Sequence, residues 1–180
     1  AFMELIRREK VDVAIDLHTH STASDGTEKP AVVVQRAVEA GLSTLTINDH
    51  DTTLGWDEAA GAARHHGIRL VPGIEVSCSR YHESIHLLAY LPDPSHAALV
   101  DELERARRSR DTRLDAMVAK MAADGIPVTI EEVRAQVEPG ATPGRPHIAD
   151  ALVASGVVAH RDEAFARWLG LSARRFVQQA

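Results

Sequence analysis

The sequence predicts an α/β fold, a parallel sheet or barrel followed by a helical module. Three observations predict it. Short apolar runs alternate with helix-spaced segments over residues 11–93, successive apolar runs end in polar clusters, and residues 94–170 contain no further convincing strand pattern. The chain has 180 residues, 44% of them hydrophobic and 26% charged, which suits an ordinary globular domain and excludes collagen-like, disordered and disulfide-scaffold classes. Aromatic residues make up only 4%, so the core must be built from small aliphatic side chains. A single cysteine, Cys78, cannot form an intramolecular disulfide and fits a reducing compartment. No apolar run approaches the ~20 residues of a membrane helix, so no membrane association and a cytoplasmic location are expected. With 20 basic against 26 acidic residues, the net charge of −6 argues against a general nucleic-acid coat. The unusual number is ten histidines, several of them crowded among carboxylates.

The elements follow in order. Val11 to Asp16 (VDVAID) reads as a buried strand, and LHTHSTASDG follows it directly. Thr27 to Pro30 can cap and start a helix, with Ala31, Val34, Ala37 and Val38 at helical spacing before a glycine stop at Gly41. LSTLTINDHD (42–51) repeats the strand-then-polar pattern. Leu54 to His65 fits a second helix closed by Gly67, Ile68 to Val76 a third strand, and Ser84 to Leu91 a fourth. After Asp93-Pro94 a long helix is expected to about Ala123, with Leu99, Leu103, Ala106, Leu114, Met117 and Met121 on one face. Thr129 and Glu132 have capping-box spacing for a further helix to about Val137. The loop EPGATPGRP leads to another helix over His147 to Ala154, and a last one spans Asp162 to Leu169. The expected division is a barrel segment over 11–93, a helical insertion over 94–170 and a tail over 171–180.

His18 and His20 stand two residues apart at a strand end, so strand alternation points both imidazoles the same way, and Asp16 on that face could orient one of them. Asp25 follows in a Ser-Asp-Gly turn, Asp49-His50 and Glu75 lie at the ends of the next two strands, and His86 lies within the fourth. Imidazole and carboxylate donors without thiolate favour zinc, manganese or iron. Taken singly, a strand-end His or Asp is more often a hydrogen-bonded structural residue than a ligand. Their recurrence along consecutive strands shifts the reading to a metal site. Asp49 is read as a hydrogen-bonding residue outside the ligand set, Ser21 and Ser24 as turn-shaping, and Cys78 as a small buried residue. The arginine run ERARRSRDTR (104–113) is read as a solvated helix face. His65 and His66 belong to a helix end, His82, His96 and His160 to the surface, and Trp56 and Trp168 to packing.

The segments DLHTHSTASDGT (16–27), INDHDT (47–52), VPGIEVS (71–77), IHLLAY (85–90) and GRPHIADALV (144–153) together resemble the PHP (polymerase and histidinol phosphatase) superfamily, specifically its small bacterial nucleotide phosphoesterase branch. The resemblance implies a distorted (β/α)7 barrel with a helical insertion subdomain and two or three divalent metal ions (Mn, Zn or Fe) at the strand ends. His18, His20 and Glu75 would hold one ion, Glu75 would bridge to a second held also by His86, and Asp25 with His50 would hold a third. Arg145 and His147 would contact the substrate phosphate. The implied activity is hydrolysis of phosphate monoesters of nucleotides, with 3′,5′-bisphosphonucleosides or oligonucleotide ends favoured, through a metal-bound hydroxide. A histidinol-phosphate-type small-molecule phosphatase and a non-catalytic metal- or nucleotide-binding remnant are the alternatives. The family continues past the insertion into strands carrying His-Pro and Asp-x-His ligands, which LSARRFVQQA (171–180) does not contain, so the chain is expected to be a piece of a longer protein.

Overall fold

A computed structural model describes residues 14–81 and 83–170. Four strands, β1 (Ala14–Thr19), β2 (Leu42–Ile47), β3 (Arg69–Arg80) and β4 (Glu83–Tyr90), form one sheet in the order β1-β2-β3-β4. The first strand continues to Thr19, past the expected end at Asp16, and residues 11–13 of the expected strand lie outside the described residues. β1 and β2 are joined by helix α1 (Pro30–Glu39), whose proline occupies the first turn, where its missing N–H leaves no bond unmade. β2 and β3 are joined by α2 (Trp56–His66), which carries Asp57 and Glu58 in its first turn and Arg64, His65 and His66 in its last, each set complementing the helix dipole. Gly67 closes α2 in the left-handed conformation at φ 71°.

Both crossovers give parallel pairs, as expected, but β4 runs antiparallel to β3, with Gly73 opposite Tyr90 and Arg80 opposite Glu83. This corrects the expectation of parallel strands throughout. A parallel return needs a connection of roughly a dozen residues or more, and β3 extends beyond Val76 into a tight hairpin that leaves no room for one.

Beyond the sheet, α3 spans Ala97–Ala123. It starts later than Asp93-Pro94 suggests because the Asp93 carboxylate accepts from the Ser95 N–H (2.9 Å) and hydroxyl (2.7 Å), making a local turn ahead of the helix. α4 (Ile130–Arg134) opens with the expected capping box, Glu132 N–H donating to Thr129 Oγ1 and Thr129 N–H to Glu132 Oε2. α5 (Arg145–Ala154) and α6 (Arg161–Ala164) follow, and the chain passes from α6 into a π-helical turn at Phe165–Leu169.

One apolar cluster packs α1 and α2 against the sheet through Val34, Ala37, Leu45, Ile47, Ala59, Ala63 and Ile68. Another joins α3 to α4 and α5 around Met117, Met121, Val133, Ile148 and Leu152. Between the sheet strands the backbone packs most tightly at Gly73, where an added Cβ would lie 2.3 Å from Asn48 Nδ2 and 2.6 Å from Thr46 Cγ2. Gly73→Ala is therefore expected to destabilise the chain by about 2 kcal/mol, the usual scale of overpacking in a rigid core. Urea denaturation checks this, and an unchanged midpoint contradicts it.

Candidate metal centre

The polypeptide brings the six expected ligand residues together. Alternation along β1 sends His18 to the sheet's ligand-bearing end, and the turn after it returns Asp25 beside His20, with His20 Nδ1 3.2 Å from Asp25 Oδ1. The segment after β2 carries His50, bridged to Glu75 of β3. In the hairpin, Ser77 pairs with His86 and Glu75 with Leu88, so His86 and Glu75 are diagonal neighbours on one face, within side-chain reach.

Glu75 is the hub. Its Oε2 lies 2.7 Å from His18 Nε2 and 2.9 Å from His20 Nε2, while its Oε1 contacts His86 Nδ1 and stands 3.9 Å from His50 Nδ1. His50 Nε2 is 3.6 Å from Asp25 Oδ2. Three trios result, His18–His20–Glu75, His20–Asp25–His50 and His50–Glu75–His86, the donor atoms of each lying within 4.8 Å of one another.

This donor set fits divalent cations. His18 Nε2 and His20 Nε2 face each other at 3.1 Å while both aim at the same carboxylate oxygen. Hydrogens on both nitrogens would oppose one another, whereas lone pairs directed at a shared cation would not. His50 is buried, and its Nδ1 has no hydrogen-bond partner, a defect that coordination would remove.

Charge distribution favours the ligand forms. Burial would raise the Asp25 pKa, but the His20 hydrogen bond and the charges of His50, His20 and Arg110 hold it well below the usual carboxylate range. Glu75 is likewise lowered, the effect of burial being outweighed by the His18 hydrogen bond and the imidazoles around it. Burial opposes the charged form of His20 too, yet Asp25, Glu75 and Asp49 raise its pKa. His50 is pushed down to about 4, first by burial and then by the Arg110 charge. An imidazole with a depressed folded-state pKa binds protons more weakly than in the unfolded chain, so its stability contribution is present above pH 6.5 and is lost as pH falls toward 4. The metal-free chain should therefore lose about 3 kcal/mol more than a His50→Asn variant between those limits. Parallel urea titrations at pH 7 and pH 4 test it, and equal losses would refute it.

Two buried aspartates beside the ligands have structural partners. Asp49 accepts from Ser21 N–H (2.7 Å), Ser21 Oγ (2.6 Å) and Ser24 Oγ (2.7 Å), which fixes the turn ahead of Asp25. Asp51, in the left-handed region at φ 53°, accepts from Ser77 N–H (2.7 Å), Ser77 Oγ (2.6 Å) and Arg110 Nε (2.7 Å). Arg110 is only 7% exposed. It corrects the reading of the 104–113 run as a solvated face: Arg105 and Arg108 do pair with acidic neighbours at the surface, but Arg110 ties α3 to the ligand-bearing strands. Neither Arg110 nor Ser77 was signalled by sequence pattern.

Arg145 and His147 begin α5, adjoining the Asp25 turn: Thr142 N–H donates to the Ala23 carbonyl, and the Cβ position of Gly144 lies 3.6 Å from Asp25 Oδ2. Arg145 is exposed and donates to the Leu169 carbonyl at 3.0 Å. His147 is buried, and its Nδ1 accepts from Gly144 N–H at 3.0 Å, which leaves its proton on Nε2. Cys78, expected to be buried, is exposed, because the β3–β4 hairpin extends away from the core there. Trp56 is half-buried and donates to the Gly73 carbonyl at 3.0 Å, consistent with packing. His96 and His160 cap α3 and α6 and are exposed, and His82 lies outside the described residues. A cleft of about 600 Å³ between α3 and residues 137–143 contains none of the six converging residues, which form an open arrangement on the sheet rather than that cavity.

Comparison with known proteins agrees with this geometry. A family model described as PHP domain matches residues 16–107. The chain is 36% identical over 163 residues to a 5′-3′ exoribonuclease of Haemophilus influenzae, covering 91% of this chain and 59% of that protein. It is 36% identical over 155 residues to a 3′,5′-nucleoside bisphosphate phosphatase of Chromobacterium violaceum, covering 86% and 54%. The chain thus spans a little over half the length of these curated relatives. Among solved structures it is similar to a protein of Bifidobacterium adolescentis described as a metal-dependent phosphoesterase, with TM-score 0.84, 40% identity and coverage of 93% of this chain and 59% of that one. It is also similar to an amidohydrolase of Chromobacterium violaceum with bound SO4 and no metal, with TM-score 0.82, 34% identity and coverage of 92% and 58%.

Proposed function

The chain belongs to the PHP domain family, and from that membership we propose that it carries the metal centre of a phosphoesterase that removes phosphate from nucleotides, either 3′,5′-bisphosphonucleosides or oligonucleotide ends. One observation carries the proposal: the two oxygens of Glu75 face different imidazole sets, the arrangement a carboxylate needs to link neighbouring cations. In this reading His18, His20, Asp25, His50, Glu75 and His86 hold two or three ions of manganese, zinc or iron. When bound, such ions would supply charge neutralisation on the phosphoryl oxygens and activation of water. The nucleotide assignment is supported by the names of the exoribonuclease and bisphosphate phosphatase relatives.

The chain's own residues would handle the phosphate. Arg145 offers a planar fork matched to anionic oxygens, and His147, proton held on Nε2 by its bond from Gly144, offers a neutral donor. Both sit in the first turn of α5, where the helix dipole also favours an anion. Sulfate bound in the metal-free Chromobacterium violaceum relative is consistent with an anion site that does not depend on metal. No described helix is long and apolar enough to cross a membrane; the cytoplasmic location is proposed from the single cysteine, which suits a reducing compartment. Incubation with manganese and a 3′,5′-bisphosphonucleoside should release inorganic phosphate, and chelation should reduce release to background. Equal release before and after chelation, or none in either case, contradicts the proposal.

A further inference from the structure

We propose that Arg161 is a positioning residue for Asp25: paired with Asp150, it braces the turn that carries Asp25 against α5, the helix that begins with Arg145 and His147. The proposal takes the metal centre from the phosphoesterase reading and its geometry from the contacts that follow.

Arg161 opens α6 and reaches two other elements. Its Nε lies 2.5 Å from Asp150 Oδ1 and its Nη2 lies 2.5 Å from Asp150 Oδ2, a two-pronged pair that engages both carboxylate oxygens. Asp150 stands three residues after His147, so the pair grips α5 on the same face, about one turn further along. The remaining nitrogen, Nη1, donates to the Asp25 carbonyl at 3.4 Å. Among the described residues no other group donates to that carbonyl.

The sheet holds the Asp25 turn from one side only. Asp49 accepts from Ser21 and Ser24, Ser24 N–H and Gly26 N–H both donate to the Ser21 carbonyl (3.1 and 2.9 Å), and His20 Nδ1 lies 3.2 Å from Asp25 Oδ1. Toward α5 lies a polar cavity of about 180 Å³, lined in part by Thr22, Gly26, Thr27, His147, Asp150 and Arg161. Close apolar packing therefore does not set the spacing between turn and helix there. Hydrogen bonds set it, with Thr142 N–H on the Ala23 carbonyl at 3.0 Å and Arg161 on the Asp25 carbonyl two residues on. A guanidinium held flat by two oxygens has little freedom left, so Asp150 delivers Nη1 in a fixed direction. Arg161 and Asp150 are both partly buried, which shields the pair from the screening that weakens surface ion pairs.

Two readouts on the full chain test this, for wild type, Arg161→Met, Arg161→Lys and Asp150→Asn. In the metal-free chain, backbone hydrogen exchange at Ser24 and Gly26 should quicken about tenfold in Arg161→Met, while the amides of α1 and α2 keep their wild-type rates. With manganese, free ion being followed by electron paramagnetic resonance, the weakest-bound ion should be held about tenfold less tightly and the others unchanged, the scale of losing a residue that supports a metal ligand. Arg161→Lys, which keeps the charge but not the fork, and Asp150→Asn, which leaves the guanidinium a single acceptor, should fall between. Unchanged exchange at Ser24 and Gly26 in Arg161→Met overturns the proposal, as does exchange quickened equally throughout the chain or manganese affinity lowered equally at every site. Local quickening in a chain whose wild type binds no manganese would overturn the metal-dependent phosphoesterase reading and leave the positioning of Asp25 standing.

Discussion

Glu75→Gln should abolish phosphate release, lowering kcat/KM by at least about 10³-fold, more than loss of a single well-placed donor costs in other hydrolases. Glutamine keeps the shape of the side chain but replaces one of the two anionic oxygens with an NH2 donor. Because His18 and His20 meet on one of those oxygens and His86 on the other, no conformation of the amide can serve both sets as an acceptor. Metal content should fall by at least one ion per chain, measured by elemental analysis after dialysis against manganese. The metal-free variant should remain folded, since its hydrophobic clusters do not include Glu75. Retention of full metal content and activity would remove Glu75 from the centre.

Asp51→Asn should have the largest effect on stability, about 3–5 kcal/mol, as expected for breaking a buried ion pair from one side. Asp51 is fully buried and Arg110 nearly so, and the variant would leave the guanidinium facing an amide instead of a carboxylate. Asparagine tolerates the left-handed backbone at this position, so the loss is not one of backbone strain. In a chain of this size the thermal midpoint should drop by roughly 10 °C. Asp51→Asn combined with Arg110→Met should recover at least about 1 kcal/mol relative to the sum of the single variants, the signature of direct coupling. Additivity in that cycle would mean that the contact does not hold α3 to the sheet.

The convergence of the candidate ligand residues was legible in the sequence because a strand places alternate side chains on one side, so His18 and His20 had to point together, and because the apolar runs announced where each strand ended. α1, α2 and the capping box of α4 were legible for similarly local reasons: proline at the first turn, glycine at the end, and Thr129 spaced three residues from Glu132. The direction of β4 was missed because periodicity records which residues face inward and not the sense of the strand. The short connection after β3 was the available clue, since a parallel return could not fit in it. The Asp51–Arg110 pair was hidden for a different reason. It joins residues far apart in the chain, and a run of arginines on a helix looks the same whether its face meets water or a buried carboxylate. The burial of His147 could not be inferred from GRPH either, as its surroundings include Thr22 and Gly26, far away in the chain.

The strand ends of this chain are proposed to form one multinuclear metal centre with Glu75 at its middle. Anomalous scattering at the manganese edge, from crystals grown with manganese, tests it most directly. The predicted result is two or three peaks, one among His18, His20 and Glu75, one among His50, Glu75 and His86, and one beside His20, Asp25 and His50. A map with no peak within coordination distance of Glu75 would contradict it.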